Sequence, residues 1–184
     1  MSEHETQGST GAGDAAGGET GAGEPEQAMY ERLIALLDAE GAQYRTIDHA
    51  PEGATELVSE LRGNSLGQAA KCIVVMVKVG KKVTRYVLAV VPGDRRVDIG
   101  AVKGLLEGTY ASFASRDIAE RLAGSVSGTV LPFSFDERLE LVVDPDLLAH
   151  DEIFFNAARL DRSLALSVKD YVRIAAPRTE AIAG

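Results

Sequence analysis

Hydrophobic residues are most concentrated near the middle of the chain, where two long apolar strands are predicted over residues 71–79 and 83–91. A short turn, Gly80-Lys81-Lys82, separates them, so the pattern indicates a β-hairpin. The first strand is apolar at both odd and even positions, which is typical of a strand buried inside a sheet. It opens with Lys71, whose charge either reaches water along its aliphatic stem or serves a site at the end of the strand.

The rest of the chain shows weaker patterns. Helices are predicted where apolar residues recur every three or four positions between capping and stop residues: over residues 29–40, around 57–61, and after Asp98, Ser115 and Ser167. Shorter extended segments are predicted over residues 44–48, 110–114, 139–143, 153–156 and 163–166. Because strands and helices are interleaved without strict alternation, the fold class expected is α/β, with a mixed, barrel-like β-sheet and helices packed outside.

Composition divides the 184 residues into two parts. Residues 1–28 contain seven glycines and six acidic residues but no lysine or arginine, so we expect a disordered, acidic, glycine-rich tail. Residues 29–184 have the length of one folded domain. The tail carries six negative charges, so the formal net charge of −9 becomes −3 for the predicted domain.

Several classes of function are disfavoured. One cysteine and the absence of a long apolar run indicate a soluble, cytoplasmic protein without disulfides or membrane association. The cysteine, Cys72, lies inside a predicted buried strand and is expected to be structural. The three histidines show no zinc-binding spacing, and no phosphate-binding loop or nucleophile elbow occurs, so no metal or cofactor is predicted.

A small group of polar residues at the ends of strands and loops remains as candidate chemistry. These are His49, Lys71, Asn156 and the loop of residues 128–132. Each has a structural alternative. Lys71 could cover apolar surface, His49 could cap a loop, residues 128–132 could form a turn, and Asn156 could satisfy backbone groups.

Five short motifs, in one order along the chain, resemble the YbaK/EbsC family of aminoacyl-tRNA deacylases, which are related to the editing domain inserted in bacterial prolyl-tRNA synthetase. The motifs are His49, Ala70-Lys71, the run VVPGDRRVD at residues 90–98, GTVLPF at 128–133 and FFNAA at 154–158. The resemblance spans about residues 30–175, which is nearly all of the predicted domain. It departs at Thr129, where the family often has glycine, and at Ala157-Ala158, where a pair containing glycine is common.

The resemblance implies hydrolysis of the ester that links a wrong amino acid to the 3′ end of a tRNA. It places Lys71 at the family's lysine and residues 128–132 at its glycine-to-proline loop, whose backbone N–H groups could stabilise an oxyanion. The catalytic candidates are therefore Lys71, Gly128 and Thr129. The candidate substrate-binding residues are His49, Val130, Leu131, Pro132, Asn156 and Ala157.

The resemblance also implies binding partners. These are the 3′ end of an aminoacyl-tRNA, with tRNA for proline favoured, and prolyl-tRNA synthetase as a candidate protein partner. An excess of five basic residues over residues 78–103 could contact phosphates or could be a solvated hairpin tip. Two alternatives stay open. One is a non-catalytic binding module that recognises a tRNA end, a nucleotide or a protein partner, and the other is a small-molecule esterase. Oligomeric state is not predicted.

Overall fold

The computed structural model of the protein describes residues 24–184. The helices and the first seven strands follow the predicted order, with bounds that differ by a few residues, and the short strand β8 (Arg178–Thr179) was not predicted. The α-helices are α1 (Glu24–Ala39), α2 (Thr55–Arg62), α3 (Ile99–Leu105), α4 (Arg116–Ala123) and α5 (Val168–Ala175). The strands are β1 (Tyr44–Asp48), β2 (Ala70–Val79), β3 (Val83–Pro92), β4 (Tyr110–Phe113), β5 (Leu139–Val143), β6 (Glu152–Asn156), β7 (Arg162–Ser167) and β8 (Arg178–Thr179).

The N-terminal boundary differs from the one expected. Residues 1–23 of the predicted tail lie outside the described residues, and α1 begins at Glu24 instead of Met29. Pro25 is compatible with this start, because N–H groups in the first turn of a helix have no acceptor within the helix. Three later helices begin at the predicted N-caps: the side chains of Asp98, Ser115 and Ser167 each accept a backbone N–H from three residues further on.

The described strands form two sheets. A three-stranded antiparallel sheet has the order β1-β7-β6, and a five-stranded mixed sheet has the order β4-β2-β3-β5-β8. The mixed α/β architecture is confirmed, but the barrel-like closure is wrong, because neither sheet closes on itself. Closure requires edge strands to pair, whereas β6 meets the larger sheet at an isolated bridge between Ala69 and Phe154.

The predicted hairpin forms the centre of the larger sheet. β2 and β3 pair over their whole length and are flanked by β4 and β5. One face, which includes Val74 and Leu88, packs into the core shared with the three-stranded sheet. The opposite face, which includes Val75 and Val87, packs into a second core with residues of α3. Burial on both sides explains why β2 is apolar at odd and even positions.

No helix within residues 24–184 combines the length and apolar character that crossing a bilayer requires.

The middle of the loop that precedes β5 is anchored in the core by Tyr171 of α5. Tyr171 is fully buried, and its hydroxyl donates to the carbonyl oxygen of Pro132 at 2.6 Å. Its ring meets Phe133 edge-on, with 5.3 Å between the centroids. Burial raises the pKa of Tyr171 well above its usual value, so the hydroxyl stays protonated and can donate.

Removing this hydroxyl is expected to destabilise the protein. Tyr171→Phe leaves the buried Pro132 carbonyl without its donor, which should lower the free energy of unfolding by about 1–3 kcal/mol in urea titration. Tyr110→Phe is the matched control, because Tyr110 is exposed and its hydroxyl has no hydrogen-bond partner within the described residues. Equal losses in the two variants would contradict the role of the buried hydrogen bond.

Candidate functional site

A cavity of about 170 Å³ opens beside the start of β2 and the end of β6. Of the nine candidate residues, Lys71, Gly128, Val130 and Asn156 line it. The lining contains two cationic side chains and no carboxylate, so the cavity is suited to anionic groups. The lining residues are Gly53, Thr55, Val58, Arg62, Ala70, Lys71, Cys72, Ile73, Gly128, Val130, Phe155 and Asn156.

Gly128 brings two loops into contact at the cavity wall. Its φ of +87° lies in the left-handed region, which favours glycine. A Cβ atom built at Gly128 would lie 3.0 Å from the Cα atom of Gly53. Both the backbone conformation and the close approach therefore require glycine at this position.

Asn156 holds these same loops together from behind. It is 7% exposed, and its amide nitrogen donates to the carbonyl oxygens of Glu52 at 2.9 Å and Gly128 at 2.8 Å. Both of its N–H groups are thereby engaged. Although Asn156 lines the cavity, the geometry makes it a positioning residue for the loops instead of a donor to a ligand.

Ser163 of β7 connects Asn156 to two other polar side chains. Its hydroxyl is fully buried and donates to Asn156 Oδ1 at 3.0 Å. It also lies 2.7 Å from Nε2 of His49 and accepts from Nη1 of Arg62 at 3.2 Å. His49 is therefore placed behind the cavity wall, where it supports Ser163. Sequence reasoning missed Ser163 because a small polar residue inside an apolar strand gives no distinct pattern.

Lys71 lines the cavity, and its ammonium group is held at the cavity's edge. The Nζ atom donates to the carbonyl oxygen of Arg95 at 2.6 Å. An ammonium group has three N–H donors, so two remain for a ligand. The segment that contains Arg95 is itself fixed nearby, because the backbone N–H of Asp98 donates to the carbonyl oxygen of Ile182 at 2.7 Å.

The first three residues of the 128–132 loop differ in whether their backbone N–H groups have an acceptor. The backbone N–H groups of Gly128 and Val130 donate to no acceptor in the part of the chain that the structure describes. Thr129 is 1% exposed, and its N–H and hydroxyl both donate to the carbonyl oxygen of Val126, at 3.0 and 2.8 Å. Thr129 is therefore turned away from the cavity, while its two neighbours in the chain line it.

Leu131, Pro132 and Ala157 do not line the cavity. All three are buried, and Leu131 and Ala157 belong to the core between the sheets. They anchor the loop and the end of β6. Cys72 does line the cavity, but burial raises the pKa of its thiol, which keeps it protonated and a poor nucleophile.

A second groove of about 410 Å³ continues from the cavity and shares Gly128 and Val130 with it. It extends towards Phe113, which is 56% exposed, and Arg116. The two spaces together form a path along the surface beside the 128–132 loop.

The basic tip of the β2-β3 hairpin lies apart from this path. Its turn, residues 80–82, is at the opposite end of β2 from Lys71, roughly 26 Å away at the usual rise along a strand. Two of the basic residues counted from the sequence are neutralised by partners: Arg85 pairs with Glu140 at 2.7 Å and Arg95 pairs with Asp146 at 2.9 Å.

Comparison with known proteins places these observations in a family. A family model described as an aminoacyl-tRNA editing domain matches residues 49–174, a range that contains all nine candidate residues. The multifunctional Ser/Thr-tRNA deacylase ProXp-y of Escherichia coli is 46% identical over 149 residues, which cover 80% of this chain and 89% of that protein.

Two solved structures share the fold. A hypothetical protein has a TM-score of 0.74 and 21% identity, with coverage of 83% of this chain and 99% of that one. A putative trans-editing enzyme for prolyl tRNA synthetase has a TM-score of 0.69 and 20% identity, with coverage of 85% and 97%. At these identities the likeness shows the fold alone.

The contact between Gly53 and Gly128 can be tested directly. Gly128→Ala places a methyl group against Gly53 and an alanine in the left-handed region, so we expect it to lower the free energy of unfolding by about 1–2 kcal/mol and to increase hydrogen exchange in both loops. The control is Gly104→Ala, because a Cβ atom there meets nothing within 4 Å. That variant should be neutral or stabilising, by up to about 1 kcal/mol. Unchanged stability and exchange in Gly128→Ala would contradict the required contact.

Proposed function

Because this chain belongs to the aminoacyl-tRNA editing domain family, we infer that it is an aminoacyl-tRNA deacylase, an enzyme that hydrolyses the ester bond of a mischarged tRNA. The structural observation that supports this inference is the cavity lined by Lys71, Gly128 and Val130, where the backbone N–H groups of Gly128 and Val130 have no acceptor among the described residues. Together they form a site with several hydrogen-bond donors and no carboxylate.

These donors suit the chemistry of ester hydrolysis. Attack by water on the ester carbonyl produces a negatively charged oxygen, which backbone N–H groups can stabilise if they are held in place beforehand. The hydrogen bond from Asn156 to Gly128 holds the loop that carries these N–H groups. Losing one such donor typically costs about 100- to 1000-fold in rate.

Lys71 adds positive charge at the edge of the same cavity. Its ammonium group is fixed by the Arg95 carbonyl and keeps two donors for the terminal adenosine or the reacting ester. The cavity lining contains no carboxylate or histidine that could act as a general base. We therefore propose that a hydroxyl of the terminal ribose assists the attacking water and that much of the rate enhancement comes from positioning.

For the amino acid removed, the identity of 46% to a Ser/Thr-tRNA deacylase favours serine and threonine esters. Small polar side chains fit a cavity of about 170 Å³ that has Thr55 in its lining. The tRNA for proline and an association with prolyl-tRNA synthetase remain predictions from the family resemblance. A structural neighbour is described as a putative trans-editing enzyme for that synthetase.

The non-catalytic alternative loses its motivation in this geometry. Its basis is that Thr129 and Ala158 stand where the family often has glycine, and added side-chain bulk there could narrow or reshape a pocket. Both residues are buried outside the cavity lining, so their side chains take no space from a substrate. Nothing among the described cavity residues provides the activated nucleophile that the small-molecule esterase alternative would need.

A panel of mischarged tRNAs tests the proposed function. The purified protein should release serine or threonine from at least one tRNA in the panel, which includes tRNA for proline, faster than spontaneous hydrolysis does. Lys71→Ala should slow this release at least about tenfold, the scale of one useful contact in the transition state.

Lys78→Ala is the matched control, because Lys78 lies on the same strand, is exposed, and is absent from the cavity lining. It should leave the rate within about twofold of the unmodified protein. Failure to release any amino acid across the panel would refute the function, and equal rates for the two lysine variants would refute the role of Lys71.

A further inference from the structure

Arg62 at the end of α2 lines the cavity as a partly buried cation without an acidic partner. Nine other arginines in the described chain form ion pairs with carboxylates. Within residues 24–184, Arg62 forms no ion pair, although it is partly buried. Its burial therefore has no explanation in a structural salt bridge.

The contacts of Arg62 are all to neutral oxygen atoms. Its Nε donates to Asn64 Oδ1 at 3.0 Å, Nη1 donates to Ser163 Oγ at 3.2 Å, and Nη2 donates to Ser59 Oγ at 3.3 Å. A guanidinium group has five N–H donors. Three are used in this way, so two remain without a protein acceptor among the described residues, on a side chain that lines the cavity.

These contacts fix the orientation of the guanidinium group while leaving its charge uncompensated. Desolvation opposes the charged form and lowers the pKa of Arg62 to about 10, so the group is still charged at neutral pH. An unpaired charge that is partly removed from water is unfavourable in a folded protein unless a ligand supplies the opposite charge. An anion that enters the cavity would supply it.

We propose that Arg62 is the phosphate-binding residue of this site and that it receives the 5′-phosphate of the terminal nucleotide of the tRNA. This inference rests on the proposed function, in which the terminal ribose carries the ester beside Lys71 and Gly128. That phosphate belongs to the same nucleotide as the ester, so it is the anion closest to the reacting bond. The guanidinium fork matches phosphate oxygens better than a point charge does.

In this proposal the two cations of the cavity have different roles. Lys71 is fixed at the edge by Arg95, and Arg62 is fixed by Ser59, Asn64 and Ser163. Because Ser163 also bonds Asn156, a phosphate bound at Arg62 would lie within one hydrogen-bonded network with the Gly128 loop. Binding of the nucleotide and positioning of the catalytic loop are thereby connected.

Nucleotide binding to the full chain tests this assignment without any turnover. Isothermal titration should show that adenosine 5′-monophosphate binds at least about tenfold more tightly than adenosine, since hydrogen bonds to a charged group are worth about 10- to 100-fold. Arg62→Gln should remove this preference and leave the affinity for adenosine within about twofold. Arg121→Gln, the control, should keep the preference, because Arg121 is exposed and outside the cavity lining.

Further binding measurements distinguish this inference from alternative assignments of the site. Equal affinities for the two ligands in the unmodified protein would overturn it, and this comparison needs no variant to fold. Loss of the preference in Lys71→Met with retention in Arg62→Gln would assign the phosphate to Lys71 instead. Binding of free serine that is lost in Arg62→Gln would show a site for the carboxylate of the released amino acid, which also overturns the inference.

Arg62→Lys keeps the positive charge but lacks the forked guanidinium group. It should retain part of the preference for adenosine 5′-monophosphate over adenosine, which a merely structural role for Arg62 would not predict. In deacylation assays Arg62→Gln should raise KM more than it lowers kcat, because the phosphate is remote from the ester bond. If no tRNA is deacylated but the preference for adenosine 5′-monophosphate follows Arg62, the proposed function fails while the phosphate site stands.

Discussion

Two hydrogen bonds from the amide nitrogen of Asn156, to the carbonyl oxygens of Glu52 and Gly128, join loops that are distant in the chain. The bridge between Ala69 and Phe154 brings the end of β6, and so Asn156, beside the start of β2. Ser163 on the neighbouring strand fixes the amide orientation. The cavity therefore depends on a buried polar contact between segments that are distant in the chain, and such contacts are costly to leave half satisfied.

The electrostatics of the cavity follow from the same arrangement. Lys71 and Arg62 are brought into one lining from different elements, and no carboxylate accompanies them. A protein selected for stability alone would pair or expose these charges. Their placement matches a negatively charged ligand and an oxyanion that develops during reaction, which is consistent with a deacylase acting on the end of a nucleic acid.

At the site, the sequence allowed prediction of the residues whose local pattern is unusual. Lys71 stands out at the head of an apolar strand, and Gly128 begins a loop punctuated by proline; both line the cavity. Sequence reasoning could not reach Ser163 or Arg62, because the contact that joins them links residues 101 positions apart in the chain. It also could not show that Thr129 bonds back to Val126. Backbone conformation within a loop decides which side chains face the ligand.

The amino-acid sequence alone specified the order of the helices and of the first seven strands, the central hairpin and the N-caps at Asp98, Ser115 and Ser167, because these depend on neighbours close in sequence. The tertiary structure decided that the strands form two open sheets instead of one closed sheet, since pairing between distant strands is not encoded in local periodicity. It also decided that Lys71, Gly128 and Arg62 share one cavity.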